Sequence, residues 1–239
     1  MGMSINEDSI ISSEPATAQP FAAHNNLTII HSINSLTYLT TKRLFDIFVG
    51  ATGTILTIPV VGVVKLVNMK NGDFAPVLYT QIRIGKNGKK IKIRKIRSMI
   101  PNADEILLEM LEDPKYKAEW QEYQKFENDP RITKIGKIIR KTSLDEFPQF
   151  FNIFNGSMSL VGPRPLIEGE LDEHNGNHDT YESVKPGLTG WWAANGRSDV
   201  NYNERLQQEY YYIENRSIKM DLLCIAKTAK SILKKSGAK

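Results

Sequence analysis

One run dominates the hydrophobic pattern of this chain. Residues 47–64 (IFVGATGTILTIPVVGVV) contain 18 positions without a charge. That is enough for about 27 Å of α-helix, against a bilayer core of about 30 Å. Asp46 lies at its start, Pro59 sits inside it, and Gly50, Gly53 and Gly62 loosen it. A proline removes a backbone hydrogen bond and kinks a helix. Lys42 and Arg43 precede the run, and Lys65 and Lys70 follow it. Basic flanks favour the cytoplasmic face, and here both ends ask for that face. The pattern predicts a helix over 42–68 that breaks near Pro59 and returns to the side it entered. A buried core helix of a soluble domain is the competing reading.

Period-two alternation then predicts strands over 76–84 and 90–96, joined by the turn Gly85-Lys86-Asn87-Gly88. Residues 101–128 read as acidic, amphipathic helix with a break near Pro114. Residues 132–141 place Ile132, Ile135, Ile138 and Ile139 at helical spacing, with Lys134, Lys137, Arg140 and Lys141 between them. Such a helix rests on an anionic membrane or faces a core; the pattern fits both. Residues 218–235 repeat the motif with Met220, Leu222, Leu223 and Ile225 against five lysines.

Charge divides the chain in two. Residues 1–41 hold no Lys or Arg and three acids, Glu7, Asp8 and Glu14. The net charge of +4 therefore splits into −3 and +7. This first segment reads as a polar, weakly ordered tail with a short ordered piece near 27–39. It lacks the basic start and apolar centre of a signal peptide. Cys224 is the one cysteine among 239 residues, which excludes a disulfide scaffold. Between Arg83 and Arg97 there are eight cations in fifteen residues, a density that attracts phosphate. Ile rather than aromatic residues separate them, and no nucleic-acid module or phosphate-loop spacing appears. Nucleic acid is therefore not an expected partner.

Residues 142–149 (TSLDEFPQ) carry the most chemistry. Ser143 can be read as a helix N-cap with Glu146 as its capping-box partner. Asp145 and Glu146 can equally be read as a functional pair. Adjacent carboxylates beside Arg140 and Lys141 suit a divalent cation, and Mg²⁺ uses one or two carboxylates plus substrate phosphates. A carboxylate also serves as a nucleophile in phosphoryl transfer. Arg164 stands between Pro163 and Pro165, which stiffens the backbone around a guanidinium suited to phosphate. Residues 185–192 form a turn-rich loop bearing Trp191 and Trp192, followed by Gly196-Arg197-Ser198. His174 and His178 lie four apart, but Asn175-Gly176-Asn177 between them reads as a loop rather than a helical metal site.

Taken in order, these motifs resemble the bacterial sugar transferase family, the monotopic polyprenyl-phosphate phosphoglycosyl transferases. The series is Lys42-Arg-Leu-Phe-Asp46, Pro59, Gln81-x-Arg83-x-Gly85, Lys95-x-Arg97-Ser-Met99, Asp129-x-Arg131-x-Thr133, Arg140 through Gln149, Met158 through Pro165, Lys185-Pro-Gly-x-Thr-Gly190 and Gly196-Arg-Ser198. The resemblance implies an α/β fold: a small mixed catalytic unit over 69–239, a re-entrant membrane helix over 42–68 broken at Pro59, and amphipathic helices on the membrane surface. It implies a bacterial inner-membrane protein on the cytoplasmic face. The implied reaction moves a sugar-1-phosphate from a nucleotide sugar, expected to be UDP-linked, to polyprenyl (undecaprenyl) phosphate. That step initiates exopolysaccharide, capsule or glycan assembly.

By the same resemblance, Asp145 is the nucleophile that forms an aspartyl-phosphosugar intermediate. Glu146, with Asp145, is the Mg²⁺ ligand. Lys95, Arg97, Arg131, Arg140, Gln149, Arg164 and Arg197 are the expected substrate contacts, with salt bridges the plainer reading for Arg97, Arg131 and Arg197. Membrane lipids are expected partners, and a homodimer is compatible with the sequence. Several positions depart from many members: Ile96 for Phe, Ser157 for Asp, Ile58 before the proline, and GLTGWWAANG over 187–196. None removes the Asp-Glu pair. The alternative is a non-enzymatic, membrane-attached scaffold that binds acidic partners through the basic hairpin.

Overall fold

The computed structural model describes residues 36–123, 126, 128–195 and 201–233. The expected tail up to residue 35, Arg197 and the last lysines lie outside the described residues.

Helix α1 runs over Leu36–Lys70, about 52 Å at the α-helical rise. It starts inside the segment read as tail, and it is continuous through Pro59 rather than interrupted there. One missing hydrogen bond does not end a helix that is packed on both sides of the proline. Its buried positions Asp46, Gly50, Gly53, Thr57, Val64 and Asn68 recur at steps of three, four and seven residues and form one stripe. Leu44, Phe48, Ile55, Leu56, Ile58, Val63 and Leu66, off that stripe, are apolar and exposed. The helix is long and apolar enough to cross a membrane, and only 22% of its most apolar window is buried in the protein.

The stripe explains the residues that make the run a poor plain span. The Asp46 carboxylate accepts hydrogen bonds from Ser159 Oγ (3.1 Å) and the Leu160 amide (2.9 Å). A Cβ at Gly50 would come within 2.6 Å of the Phe154 backbone, and one at Gly53 within 2.2 Å of the Phe150 ring. These glycines let another helix approach the α1 backbone directly. The N-terminal basic flank is committed to the protein. Lys42 Nζ sits 2.6 Å from Asp221. Arg43 donates to the carbonyls of Ile153 and Phe154, both at 2.8 Å, where the end of a helix leaves carbonyls unpaired.

The basic hairpin forms as its alternation predicts. Strands β1 (Leu78–Ile84) and β2 (Lys90–Ile96) pair antiparallel, Tyr79 opposite Lys95 and Arg83 opposite Ile91. Asn87 and Gly88 adopt the positive φ that the turn demands. Helices α2 (Ala103–Met110) and α3 (Pro114–Tyr123) follow, separated at the expected break. Helix α4 (Lys134–Lys141) is capped by Thr133, whose side chain accepts from the Gly136 amide. Ile139 is buried with Val64, Val77 and Ile96, while Ile138 is exposed. The apolar face of α4 is thus divided between core and surface.

A 3₁₀ segment (Leu144–Gln149) leads into α5 (Phe150–Asn155), the helix seated on Gly50 and Gly53. Strands β3 (Ser159–Val161) and β4 (Gly187–Thr189) form a short parallel pair. Helices α6 (His178–Tyr181), α7 (Trp191–Ala194), α8 (Tyr202–Asn215) and α9 (Ile218–Leu233) complete the described chain. Leu206, Tyr212, Ile213, Met220 and Cys224 from α8 and α9 close a core over Val161. The architecture is a mixed helix-and-strand unit attached along one long apolar helix.

Candidate active site

The two sheets and the 3₁₀ segment border one cleft of about 440 Å³. Strand periodicity decides which hairpin cations reach it. Successive side chains in a strand point to opposite faces, so Tyr79 and Arg83 share a face with Ile93 and Lys95, and all four line the cleft. Lys90, Lys92 and Arg94 fall on the other, exposed face.

Asp145 and Glu146 enter from the 3₁₀ segment. Their local backbone is not the expected capping box. Ser143 takes φ 55° and ψ 23°, and its side chain caps nothing. A left-handed residue without a glycine costs on the order of 1 kcal/mol or more and concentrates at functional sites. Thr57 Oγ1 of α1 donates to the Phe147 carbonyl at 3.1 Å, which ties this segment to the apolar helix. Burial and then the neighbouring Glu146 charge push the Asp145 carboxyl above its usual range. Lys95 and Arg140 oppose that rise. Lys95 Nζ lies 3.5 Å from Glu146 Oε1, and Arg140 Nε donates to Ser98 Oγ at 2.8 Å.

The opposite wall depends on three glycines. Gly162 N donates to Thr189 O at 2.9 Å, and Gly187 N donates to Pro163 O at 2.8 Å. A Cβ on Gly187 would meet Gly162 N at 2.1 Å, and one on Gly190 would meet Gly162 O at 2.3 Å. This close approach brings Arg164 to the cleft. The Arg164 amide donates to Glu209 Oε1 at 3.0 Å, and its guanidinium meets Glu170 at 3.4 Å. Glu209 is wholly buried, and burial pushes its carboxyl up to about 8. Its Oε2 has no partner among the described residues.

Of the residues singled out in the sequence, Lys95, Arg140, Asp145, Glu146, Gln149 and Arg164 meet at this cleft. Arg97 and Arg131 do not line it. Arg97 Nη2 pairs with Asp73 at 2.8 Å, while its Nε and Nη1 donate to the carbonyls of Pro76 and Met99. Arg131 is buried against Asp129 at 2.7 Å, with its guanidinium over the adjoining rings of Trp120 and Phe126. Both ion pairs were the plainer alternative, and counting charge could not find the partner of either. Sequence reasoning missed Tyr79, Ser98 and Thr189 in the lining, and Arg83 as a cleft residue. Stepping by two from Lys95 and across the hairpin would have reached Tyr79 and Arg83. Glu209 carries no such signal, because it stands in an otherwise polar stretch, ERLQQEY.

No cluster of three or more acidic, His or Cys ligands exists among the described residues. The carboxylates of Asp145 and Glu146 are hard oxygen donors facing open space, a set that suits a cation sharing its shell with substrate phosphates and water.

The chain is 46% identical over 198 residues to a UDP-galactose-lipid carrier transferase of Erwinia amylovora, covering 82% of this chain and 41% of that protein. It is 42% identical to an undecaprenyl-phosphate galactose phosphotransferase of Salmonella typhimurium, again over 82% of this chain and 41% of the relative. It is 38% identical to the exopolysaccharide production protein ExoY of Rhizobium meliloti, over 82% of this chain and 87% of that protein. The chain thus spans less than half the length of the first two relatives and most of the third. The family model for bacterial sugar transferases matches residues 37–235, and the chain belongs to that family.

Proposed function

We propose that this protein is a phosphoglycosyl transferase. It moves a sugar-1-phosphate from a nucleotide sugar, UDP-linked as in relatives named for UDP-sugars, to undecaprenyl phosphate. The observation that carries the reading is the meeting of Asp145 and Glu146 with Lys95, Arg140 and Arg164 in one cleft beside an apolar helix.

In this reading an Asp145 oxygen attacks the sugar-bearing phosphorus of the nucleotide sugar. The bond from that phosphorus to the bridging oxygen breaks, and nucleoside monophosphate leaves with the electron pair. A phosphate oxygen of the polyprenyl acceptor then attacks the same phosphorus. The Asp145 carboxylate leaves, and a polyprenyl-diphosphate sugar forms. Lys95 holds Glu146 in place, while Arg140 and Arg164 offset charge on the phosphates. Asp145 and Glu146 would hold Mg²⁺, which when bound neutralises phosphate charge. Desolvation of Asp145 also suits the role, since a poorly hydrated carboxylate is the better nucleophile.

The topology belongs to the same proposal. Lys42 and Val64 stand at opposite ends of the apolar run, about 33 Å apart along a helix. Both nevertheless contact the one folded unit. A helix that left this unit to cross the bilayer would keep contact at one end only. We infer that α1 embeds its apolar face in the cytoplasmic leaflet. The exposed Phe151, Phe154, Leu222 and Leu223 continue the apolar surface on α5 and α9.

The test is release of nucleoside monophosphate when the lipid-reconstituted protein meets nucleotide sugar, Mg²⁺ and undecaprenyl phosphate. Release that needs Asp145 supports the reading. If Asp145→Asn retained wild-type turnover, Asp145 would not be the nucleophile; no release from the wild-type protein would leave the scaffold alternative instead.

A further inference from the structure

Three guanidinium groups surround one buried carboxylate beside the cleft. Glu170 Oε1 lies 3.0 Å from Arg205 Nη2 and 3.4 Å from Arg164 Nη1, and Oε2 lies 4.0 Å from Arg83 Nη1. Oε2 also accepts from the Ile167 amide at 3.0 Å. One negative charge thus faces three positive ones. Arg205 is stacked over the Tyr202 ring at 4.1 Å and does not line the cleft, whereas Arg83 and Arg164 do. The two cleft arginines also repel each other: burial first, and then the Arg164 charge, lower the pKa of Arg83. Positive charge left uncompensated in a partly dry cleft is the arrangement an anion relieves. Tyr79 connects this corner to the dyad, since its hydroxyl feels Asp145, Arg140 and Arg83 together.

We propose that Arg83 and Arg164 form a two-pronged clamp for one phosphate group, and that Glu170 is the positioning residue that holds both guanidinium groups at the cleft. The inference rests on the transferase reading for its substrate. The phosphate belongs either to the departing nucleoside monophosphate or to the polyprenyl acceptor. Arginine suits the role because its planar fork grips a phosphate at two oxygens, which lysine cannot match.

The test compares binding of a nucleoside monophosphate with binding of its bare nucleoside, by calorimetry on the lipid-reconstituted full chain. KM for undecaprenyl phosphate supplies the acceptor arm. Arg83→Gln, Arg83→Lys and Glu170→Gln are the variants. A lost bidentate contact corresponds to roughly tenfold to hundredfold weaker binding. If the clamp holds the leaving phosphate, Arg83→Gln and Glu170→Gln erase the preference for monophosphate over nucleoside by that factor, and Arg83→Lys falls between. If it holds the acceptor phosphate, the same variants raise KM for undecaprenyl phosphate with less change in kcat, and the nucleotide preference stays. A purely structural role for Glu170 would weaken nucleoside and monophosphate equally. That result, or variants that change neither arm, overturns the clamp. Wild-type protein that binds monophosphate through the clamp yet never turns over would overturn the transferase reading alone.

Discussion

Asp145 differs from an ordinary aspartate because burial and the adjacent Glu146 both favour its protonated form. A nucleophile must be ionised, so the acid limb of the turnover profile is expected at higher pH than a free aspartate would give. Profiles of nucleoside monophosphate release against pH check this. Asp145→Asn is expected to lower turnover by at least about a thousandfold, as removal of a covalent nucleophile does. Ser143 offers a separate test. Its φ of 55° suits glycine, so Ser143→Gly should raise stability by about 1 kcal/mol in denaturant melts. Glu209 sets a pH dependence of stability. Its folded pKa of about 8 lies above its ordinary 4.5. Between those values the folded chain binds more protons than the unfolded one, so stability falls as pH rises across that window. Glu209→Gln, neutral throughout, is expected to flatten the fall in Tm between about pH 5 and about pH 8.

The junction of α1 with α5 and the 3₁₀ segment makes the apolar helix part of the scaffold that carries the cleft. Gly53→Leu would drive a side chain into the Phe150 ring, at a cost of about 1–3 kcal/mol from overpacking. Activity is expected to fall with it although no cleft residue has changed, read as lower kcat in protein that remains membrane-bound. The elements differ in how far the sequence disclosed them. The hairpin was legible because alternation and an Asn-Gly turn are local signals. The α2–α3 break was legible from Pro114. Strands β3 and β4 were not, since each spans three residues beside glycine and proline, and only their mutual approach makes them strands. The capping box at Ser143 failed for a similar reason. The Thr57 contact and the α5 packing fix a backbone that local propensity alone would not choose.

For the whole molecule, mild basicity resolves into distinct uses. Arg97 and Arg131 staple the fold, Lys42 and Arg43 bind α1 to it, and Lys95, Arg140, Arg83 and Arg164 gather at the cleft. Composition shows the total, and only geometry distributes it. Tags on the two termini are expected to report the same, cytoplasmic side if α1 embeds without crossing; opposite sides would contradict that placement. The central claim concerns Asp145 as covalent nucleophile. The most direct measurement is intact and peptide mass spectrometry of the lipid-reconstituted protein, given nucleotide sugar and Mg²⁺ without polyprenyl acceptor. The account predicts an added sugar-phosphate mass on the peptide containing Asp145, absent in Asp145→Asn and discharged by undecaprenyl phosphate. Full turnover with no adduct at any time, or an adduct on another residue, would contradict it.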